Sequence, residues 1–435
     1  MQKESRTNTR ESHNGTLKKV FDLIHNNQNI NAYKRRKSDF TRDRILTFPI
    51  VVCSILHLFK ESVEFNISQI LSFFDKETVS GAAFSKARDK IRNVFFKDLN
   101  ILLLDHIQML KPKLWKGYQL LAFDGTTVML PSSKEIKKIF GIHSSTQTGT
   151  KNCLAQCLFC VDVLSDYILG YRIGNMSEGE GTMFKKMIQK IKVNSPSIIL
   201  LDRGFGNYCN FNIIFSLSHK CCVRMSSKIS GFAKMVMKDQ RQDFIIEWHP
   251  SEKERESAKA HKLKITTLKV RVSKVILATG EIELLVSNLY NDLEISNSEM
   301  KSLYFKRWGI EESIKKMKPK MKLEFWGCRK TKSIYQEFYA NVFMYNIVCI
   351  LGAEAQVKIE AKTKKRKRKY KYNWQNAYRF TREKILFLLN IELSANHLCR
   401  LIEEIGKSMI SIVPERNYPR NKTQKDKPRL YQYYK

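Results

Sequence analysis

A mixed α/β core interrupted by a β-rich insertion, set between helical N- and C-terminal regions, is the fold class this 435-residue sequence predicts. Three observations predict it. Apolar residues recur at helical spacing to about residue 116 and again from 296. From 118, apolar runs of strand length follow one another around a single amphipathic helix. A further set of strand-like runs fills 226–292. The division expected is a helical region at 1–116, a core at 117–225 and 293–355, the insertion at 226–292, and a basic helical region with a tail at 356–435.

Charge narrows the partners. Lys and Arg number 77 against 42 Asp and Glu, a net charge of +35. Such self-repulsion calls for a polyanion, either nucleic acid or an anionic membrane. Hydrophobic content of 43% and aromatic content of 11% argue for a folded body rather than a basic tail. The apolar run "ILTFPIVVCSILHLF" (45–59) contains Pro49 and falls short of the roughly 18–20 residues a membrane span needs, so it reads as a buried helix. The opening "MQKESRTNTRESHNG" is polar rather than leader-like, and the ten cysteines sit mostly in apolar runs. Free thiols in a reducing cytoplasm, with no membrane and a nucleic-acid partner, are the expectation.

Within the first region, "TVSGAAFSKARDKIRNVFFKDLN" (78–100) has an N-cap in Ser80 and helical spacing of Phe84, Ala87, Ile91 and Phe95. Lys86, Arg88, Lys90 and Arg92 occupy the remaining faces. A short helix, a glycine turn and this basic helix would make a helix-turn-helix with Lys86 and Arg88 on DNA; a surface helix with solvated charge explains the same residues.

The core begins with "YQLLAFDGTTVML", a strand holding Asp124. "NCLAQCLFCVDVLSDYILGYRIG" (152–174) reads as two strands about a Ser165-Asp166 turn, "MFKKMIQKIK" as a helix, and "SIILLDRGFGN" as a strand ending at Asp202. In the insertion, "DFIIEWHP", "LKITTLKVRVS" and "KVILATGEIELLVSNLY" read as strands, the last a hairpin near Thr279-Gly280. The charged "PSEKERESAKAHK" between them reads as exposed. Ser296 and Glu299 form a capping-box pattern that starts a helix running to Lys318, where Pro319 should stop it. Helices follow at "YQEFYANVFMYNIVCILGAEA" and around 375–405. "AKTKKRKRKYK", with eight cations and no acid, reads as a loop or disordered arm.

The chemistry concentrates in "YFKRWGIEESIKKMK" (304–318). At about 100° per residue, Arg307, Glu311 and Lys318 all fall within about 60° of Tyr304, whereas Glu312 points about 100° away from Glu311. One carboxylate between two cations and a phenol can bind a metal and grip a phosphate together. A single carboxylate holds a divalent cation poorly, and two-metal phosphoryl transfer needs more of them around ions about 3.5–4 Å apart. Asp124 and Asp202 are the best partners, because an ionised carboxylate in an apolar strand is costly without a compensating charge.

These residues carry a resemblance. The spacing Y-x2-R-x3-E-x6-K, with "AFDGTT", "LLDRGF" and "RWGIEESIKKMK", resembles the signature of a family of bacterial insertion-sequence transposases (insertion-sequence family four). The core of that family is an RNase H-like fold with a DDE triad. The β-rich interval before Glu311, Arg224 in "CCVRMS" and the closing "PERNYPR" are similar to further family features, and the likeness spans roughly 75–430. The resemblance implies an enzyme that cuts and joins DNA ends with two Mg²⁺ ions, Mn²⁺ being able to substitute, held by Asp124, Asp202 and Glu311. It implies that Arg307 and Lys318 hold phosphates, that Tyr304 hydrogen-bonds one, and that double-stranded transposon ends and target are held by a homodimer in the bacterial cytoplasm, at the nucleoid. Trp248 is a candidate for stacking a flipped base; a half-buried strand tryptophan is the competing reading. Two alternatives are an inactive transposase-derived DNA-binding protein and a structure-selective nuclease of the same superfamily.

Other features have plainer explanations. Cys153, Cys157 and Cys160 lack the second ligand pair of a zinc site and read as buried thiols. The third glycine of a dinucleotide fingerprint is missing from "RGFGN". Asp166 suits a hairpin turn, Glu178 a helix start, and Asp162 is a rival carboxylate of supporting rank.

Overall fold

In the computed structural model, residues 15–16, 18–57, 61–144, 151–227, 230–277, 280–388 and 394–413 are described. Two compact units form: one from 111–128 and 155–315, the other from 1–110, 129–154 and 316–435.

The larger sheet has nine strands. Its strands are β1 (Gln119–Leu130), β2 (His143–Ser144), β3 (Lys151–Asp162), β4 (Tyr167–Asn175), β5 (Ser197–Leu201), β6 (Lys220–Met225), β7 (Asp243–Trp248), β8 (Leu268–Ile276) and β9 (Ile282–Ser287). The order is β2-β3-β1-β5-β6-β9-β8-β7, with β4 also on β3. β3 and β4 form an antiparallel hairpin with Leu158 opposite Arg172. β1, β5 and β6 are parallel, with Gln119 opposite Ser197 and Ile198 opposite Lys220. An antiparallel hairpin beside a first strand that pairs in parallel with β5, itself parallel to β6, is the order expected of an RNase H-like core. The parallel part follows from composition: every residue of β5, "SIILL", is buried, as a strand covered on both faces requires. Helices Gly179–Ile188 and Tyr208–Ser216 supply the crossovers.

The β-rich insertion continues this sheet. β9 pairs antiparallel with β6, Val223 facing Val286, and β8 and β7 follow in antiparallel order. One apolar cluster accordingly runs from Phe123, Phe184 and Leu201 through Phe211 and Val223 to Trp248, Val270 and Val286.

"PSEKERESAKAHK" is largely exposed, as expected, and contains a helix, Glu252–Ala260, started by a Ser251–Glu254 capping box and anchored by fully buried Ala258. Several other local expectations are corrected. A helix at Gly231–Lys238 was not foreseen, its eight residues giving too short a period to read. β8 starts at Leu268, five residues after the start of the apolar run. Of the expected hairpin turn, Gly280 has φ +81° and Thr279 lies outside the described residues. The helix expected over 296–318 has its Ser296–Glu299 capping box but is composite: α-helical at Asn297–Phe305, 3₁₀ at Lys306–Trp308, α-helical at Gly309–Lys315 and π-helical at Lys316–Lys320. Pro319 lies inside the π turn instead of ending the helix before it, the wider turn being where a residue lacking an N–H disturbs the ladder least.

In the second unit, Phe48–Leu56 is a helix whose apolar residues are buried, capped by the Thr47 hydroxyl accepting from Ile50 N–H. The 33-residue helix Thr331–Thr363 is long and apolar enough to cross a membrane by length and composition, and 72% of its most apolar window is buried within the protein. The basic stretch after 78 is two helices, Gly81–Arg88 and Val94–Met109, because the chain leaves helical geometry at 89–93. Ser80 caps the first as expected, accepting from Ala83 N–H, and Phe84 and Ala87 are buried. The assignment of Arg88 to DNA is overturned: it is 3% exposed and spends its guanidinium on Glu337 at 2.8 Å, Gln336 at 2.8 Å and the Ser333 carbonyl at 2.8 Å. Lys86 is exposed. The eight-cation stretch is no disordered arm: it runs from the end of the long helix through an exposed turn into strand β10 (Tyr370–Tyr372), which pairs with β11 (Met409–Ser411). "PERNYPR" and all but the last residue of the polar opening lie outside the described residues.

His57 ends the Phe48–Leu56 helix with a buried Nδ1 that has no hydrogen-bond partner among the described residues. Burial first, then the nearby Arg382 charge, push its pKa down to about 4. The unfolded chain therefore binds a proton that the folded chain refuses between pH 6.5 and about 4, so this term is lost as pH falls through that window. His57→Gln should flatten the fall in stability over the same range, by on the order of 2 kcal/mol, in urea titrations at pH 7 and pH 4.5.

Candidate active site

Sheet register sets the first two acids. Phe123 of β1 is the partner of Leu201 of β5, so the next residues, Asp124 and Asp202, follow at one level on adjacent parallel strands. Burial stops there: β1 is buried from Gln119 to Phe123 and half-buried from Asp124 to Thr127. Asp202 opens the 3₁₀ turn Arg203–Phe205.

Glu311 arrives on the Gly309–Lys315 helix. A Cβ on Gly309 would press on Val163 of the β3–β4 turn, so glycine permits the close approach. Ser313 Oγ then donates to Asp166 Oδ1 at 2.9 Å, and Asp166 holds φ +65° in that turn. Asp166 thus has a positioning role as well as a turn role.

Arg307 ties the acids together. Its Nη2 donates to Glu311 Oε1 at 2.7 Å, its Nη1 lies 3.9 Å from Asp124 Oδ2, and the side chain is 4% exposed. Tyr304, also buried, donates its hydroxyl to Asp202 Oδ1 at 3.2 Å. Arg224 Nη1 is 3.9 Å from Asp202 Oδ1, and its Nε is 3.4 Å from Glu283. Five of the predicted side chains therefore come together: Asp124, Asp202, Tyr304, Arg307 and Glu311.

Two acids that sequence reasoning missed join them. Glu180, at the start of the Gly179–Ile188 helix, accepts from Gln156 Nε2 at 3.0 Å and lies so close to Gly125 that any side chain there would overlap its carboxylate. The signal available was the glycine after Asp124 and the "GEG" around Glu180. Glu283 on β9 comes from the insertion and pairs with Arg224.

The charges are poorly solvated. Burial pushes the Asp124 carboxyl up to about 6 against the opposing pull of Arg307, and the Glu180 and Glu311 charges add to the rise. Burial likewise raises Glu180 and Glu283, with Asp202 adding to each. Burial raises the Tyr304 phenol and the Asp202 charge raises it further, so it stays a donor. For Arg307, burial works against the charge, and Tyr304, Glu311, Asp202 and Asp124 outweigh it, holding its pKa above the ordinary value.

The donor set is made of hard carboxylate oxygens in excess of their cations, which suits Mg²⁺ or Mn²⁺ rather than a softer ion. Among the described residues no three His, Cys, Asp or Glu side chains converge as tightly as an enclosed ion requires. Arg307 accounts for this physically, since its guanidinium draws Glu311 onto itself.

Other predicted residues lie elsewhere. Lys318 belongs to the second unit, in the π turn, where its Nζ is 3.6 Å from Glu324. Trp248 is corrected from a base-stacking candidate to a core residue: 1% exposed, stacked on Phe232 at 4.2 Å and edge-on to Phe211 and Tyr208. Even the half-buried reading was too exposed. Asp162 accepts from Gln119, Leu164 N–H and Ser165 N–H and so shapes the β3–β4 turn. Glu178 pairs with Arg172 and Lys186. Cys153, Cys157 and Cys160 are buried thiols outside any disulfide among the described residues.

Gly125→Ala should strain the site, because the new methyl overlaps a Glu180 carboxylate fixed by Gln156. The expected cost is about 1–3 kcal/mol in chemical unfolding. Adding Glu180→Ala should recover most of it, and equal costs with and without Glu180 would contradict the contact.

The family model described as Transposase DDE domain matches residues 115–347. The chain is also similar to a piggyBac transposase in a synaptic complex with hairpin DNA, solved by cryo-EM. That match has a TM-score of 0.49 and 13% identity, and it covers 89% of this chain and 85% of that one. No curated protein matches the chain.

Proposed function

Because the chain belongs to the Transposase DDE domain family, we propose that it is a DNA transposase that binds the ends of an insertion sequence, breaks phosphodiester bonds there and joins the freed 3′-OH ends to target DNA. The observation that carries the reading is the matched exit of Asp124 and Asp202 from adjacent parallel strands, with Arg307 linking Glu311 to Asp124. The spacing of Tyr304, Arg307, Glu311 and Lys318 favours insertion-sequence family four within it.

Asp124, Asp202 and Glu311 would hold a pair of Mg²⁺ ions, which supply an activated oxygen nucleophile and stabilise the leaving oxygen of an in-line displacement. The chain's own groups do the rest. Arg307, which links Glu311 to Asp124, would offer its remaining guanidinium donors to a phosphate oxygen. Tyr304 keeps Asp202 oriented through its hydroxyl. Gln156 fixes Glu180, whose charge adds to the field that attracts divalent cations. Lys318 and exposed Lys86 would contact phosphates, and two copies of the chain would hold the two ends.

The test pairs the purified protein with duplexes carrying its element's ends, with Mg²⁺ or Mn²⁺. Cleavage followed by strand transfer of a pre-cut 3′-OH end supports the reading. Cleavage without joining indicates a nuclease, and metal-independent binding without cleavage indicates an inactive DNA-binding protein. Titration calorimetry with Mn²⁺ gives a second readout: binding should be present in the wild type and lost in Asp202→Asn.

A further inference from the structure

The function above does not use the densest run of positive charge in the sequence. Residues 362–371 carry eight Lys or Arg side chains, and every one of the eight is exposed. None has a carboxylate partner among the described residues, whereas other cations of the same unit do: Lys330 and Lys332 on Asp89, Lys358 on Glu403, Lys384 on Glu404. Glu360, the nearest acid in sequence, is hydrogen-bonded by Gln356.

The run is built into the fold. Arg366 N–H donates to the Thr363 carbonyl at 2.8 Å, closing the long helix, and the Arg366 guanidinium lies 5.1 Å from the centre of the Tyr370 ring. The β10–β11 ladder holds its far end, where Ile412 N–H donates to the Lys369 carbonyl at 2.8 Å and Gln356 binds both Tyr370 and Tyr372. Tyr372 packs directly on Gly352. The cations thus crowd the C-terminal end of a 33-residue helix, the negative end of its dipole, on a turn anchored by a two-stranded ladder rather than on a free tail.

We propose that this basic turn is a sequence-independent clamp on the phosphate backbone of duplex DNA. The inference rests on the reading of the chain as a DNA-acting enzyme and assigns to it a second contact surface. A like-charged cluster without internal compensation is stable only with counterions, and exchanging them for phosphates releases those ions. Duplex is favoured over single strand because single-strand grooves rely on free aromatic platforms, and here Tyr370 is covered by Arg366 and Tyr372 by Gly352. The residues 364–369 offer no apolar side chain to a bilayer.

The experiment measures how the affinity for a random-sequence duplex falls with salt, for the full chain and for a variant with Lys364, Lys365, Lys367 and Arg368 each changed to Gln. Arg366 and Lys369 stay, preserving the ring contact and the ladder, and an unchanged melting curve verifies the fold. The log–log slope should become shallower by about 2–4, with at least tenfold weaker binding near 0.15 M salt, each lost phosphate contact contributing about 0.9. A variant slope equal to that of a wild type that does bind duplex would overturn the clamp and leave the enzyme reading intact. A wild type that binds no duplex would overturn both. Loss of binding to single strands or to anionic vesicles (Ile410 on β11 and Ile412 just after it lie exposed), with duplex binding unchanged, would also overturn it.

Discussion

Glu311→Gln should lower end cleavage by on the order of 10³-fold, the consequence of losing a ligand whose metal contributes several kcal/mol to the transition state. Duplex binding should stay close to wild type, since phosphate contacts dominate that affinity and Glu311 supplies none. The substitution keeps the shape of the side chain and removes its charge, so the 2.7 Å partner of Arg307 becomes a neutral amide. A buried guanidinium then leans on Asp124, whose nearest oxygen is 3.9 Å away. Some loss of stability should therefore accompany the kinetic effect, and thermal melting should be recorded with the cleavage assay. Cleavage at the wild-type rate would remove Glu311 from the reaction.

Arg88→Ala should cost about 3–5 kcal/mol of stability, the range for removing one member of a buried ion pair. Glu337 would keep its charge in the core of the helical unit, and Gln336 and the Ser333 carbonyl would each lose a donor. Changing both partners, Arg88→Met with Glu337→Gln, should cost clearly less than the sum of the two single changes, because neither charge is then stranded. Denaturant unfolding measures all three. A surface role on DNA predicts the reverse pattern, with normal stability and weakened binding.

Arg88 also shows where the sequence stops being legible. Its neighbours Phe84 and Ala87 could be placed on a helix from spacing alone, and Ser80 as a cap, because those are local properties. What meets the Arg88 face is a helix 249 positions further on, and no local period encodes that. Trp248 failed for the same reason: strand alternation located it, but the aromatic residues that enclose it come from two separate helices. The catalytic candidates were legible because their chemistry is conspicuous, carboxylates closing apolar strands and an arginine one turn before a glutamate. Glu180 and Glu283 were hidden, since only the crossover after β4 and the β6–β9 pairing bring them near Asp202. The helix-wheel argument holds for Arg307 and Glu311, which pair at 2.7 Å although a 3₁₀ turn lies within their helix, and it stops before Lys318, where a π turn breaks the 100° step and the side chain lies beside Glu324.

The pairing of β9 with β6 bears on how the molecule avoids sticking to itself. Ending at β6, a parallel sheet would offer a bare row of N–H and C=O groups flanked by "KCCVRM", an apolar template for another chain. Residues 226–292 move that margin outward by three strands to β7, whose outer face carries Ile245 and Glu247 in solvent. Excising the segment to make a smaller enzyme would therefore trade one catalytic-site neighbour, Glu283, and a protected sheet for an aggregation seam beside the active acids.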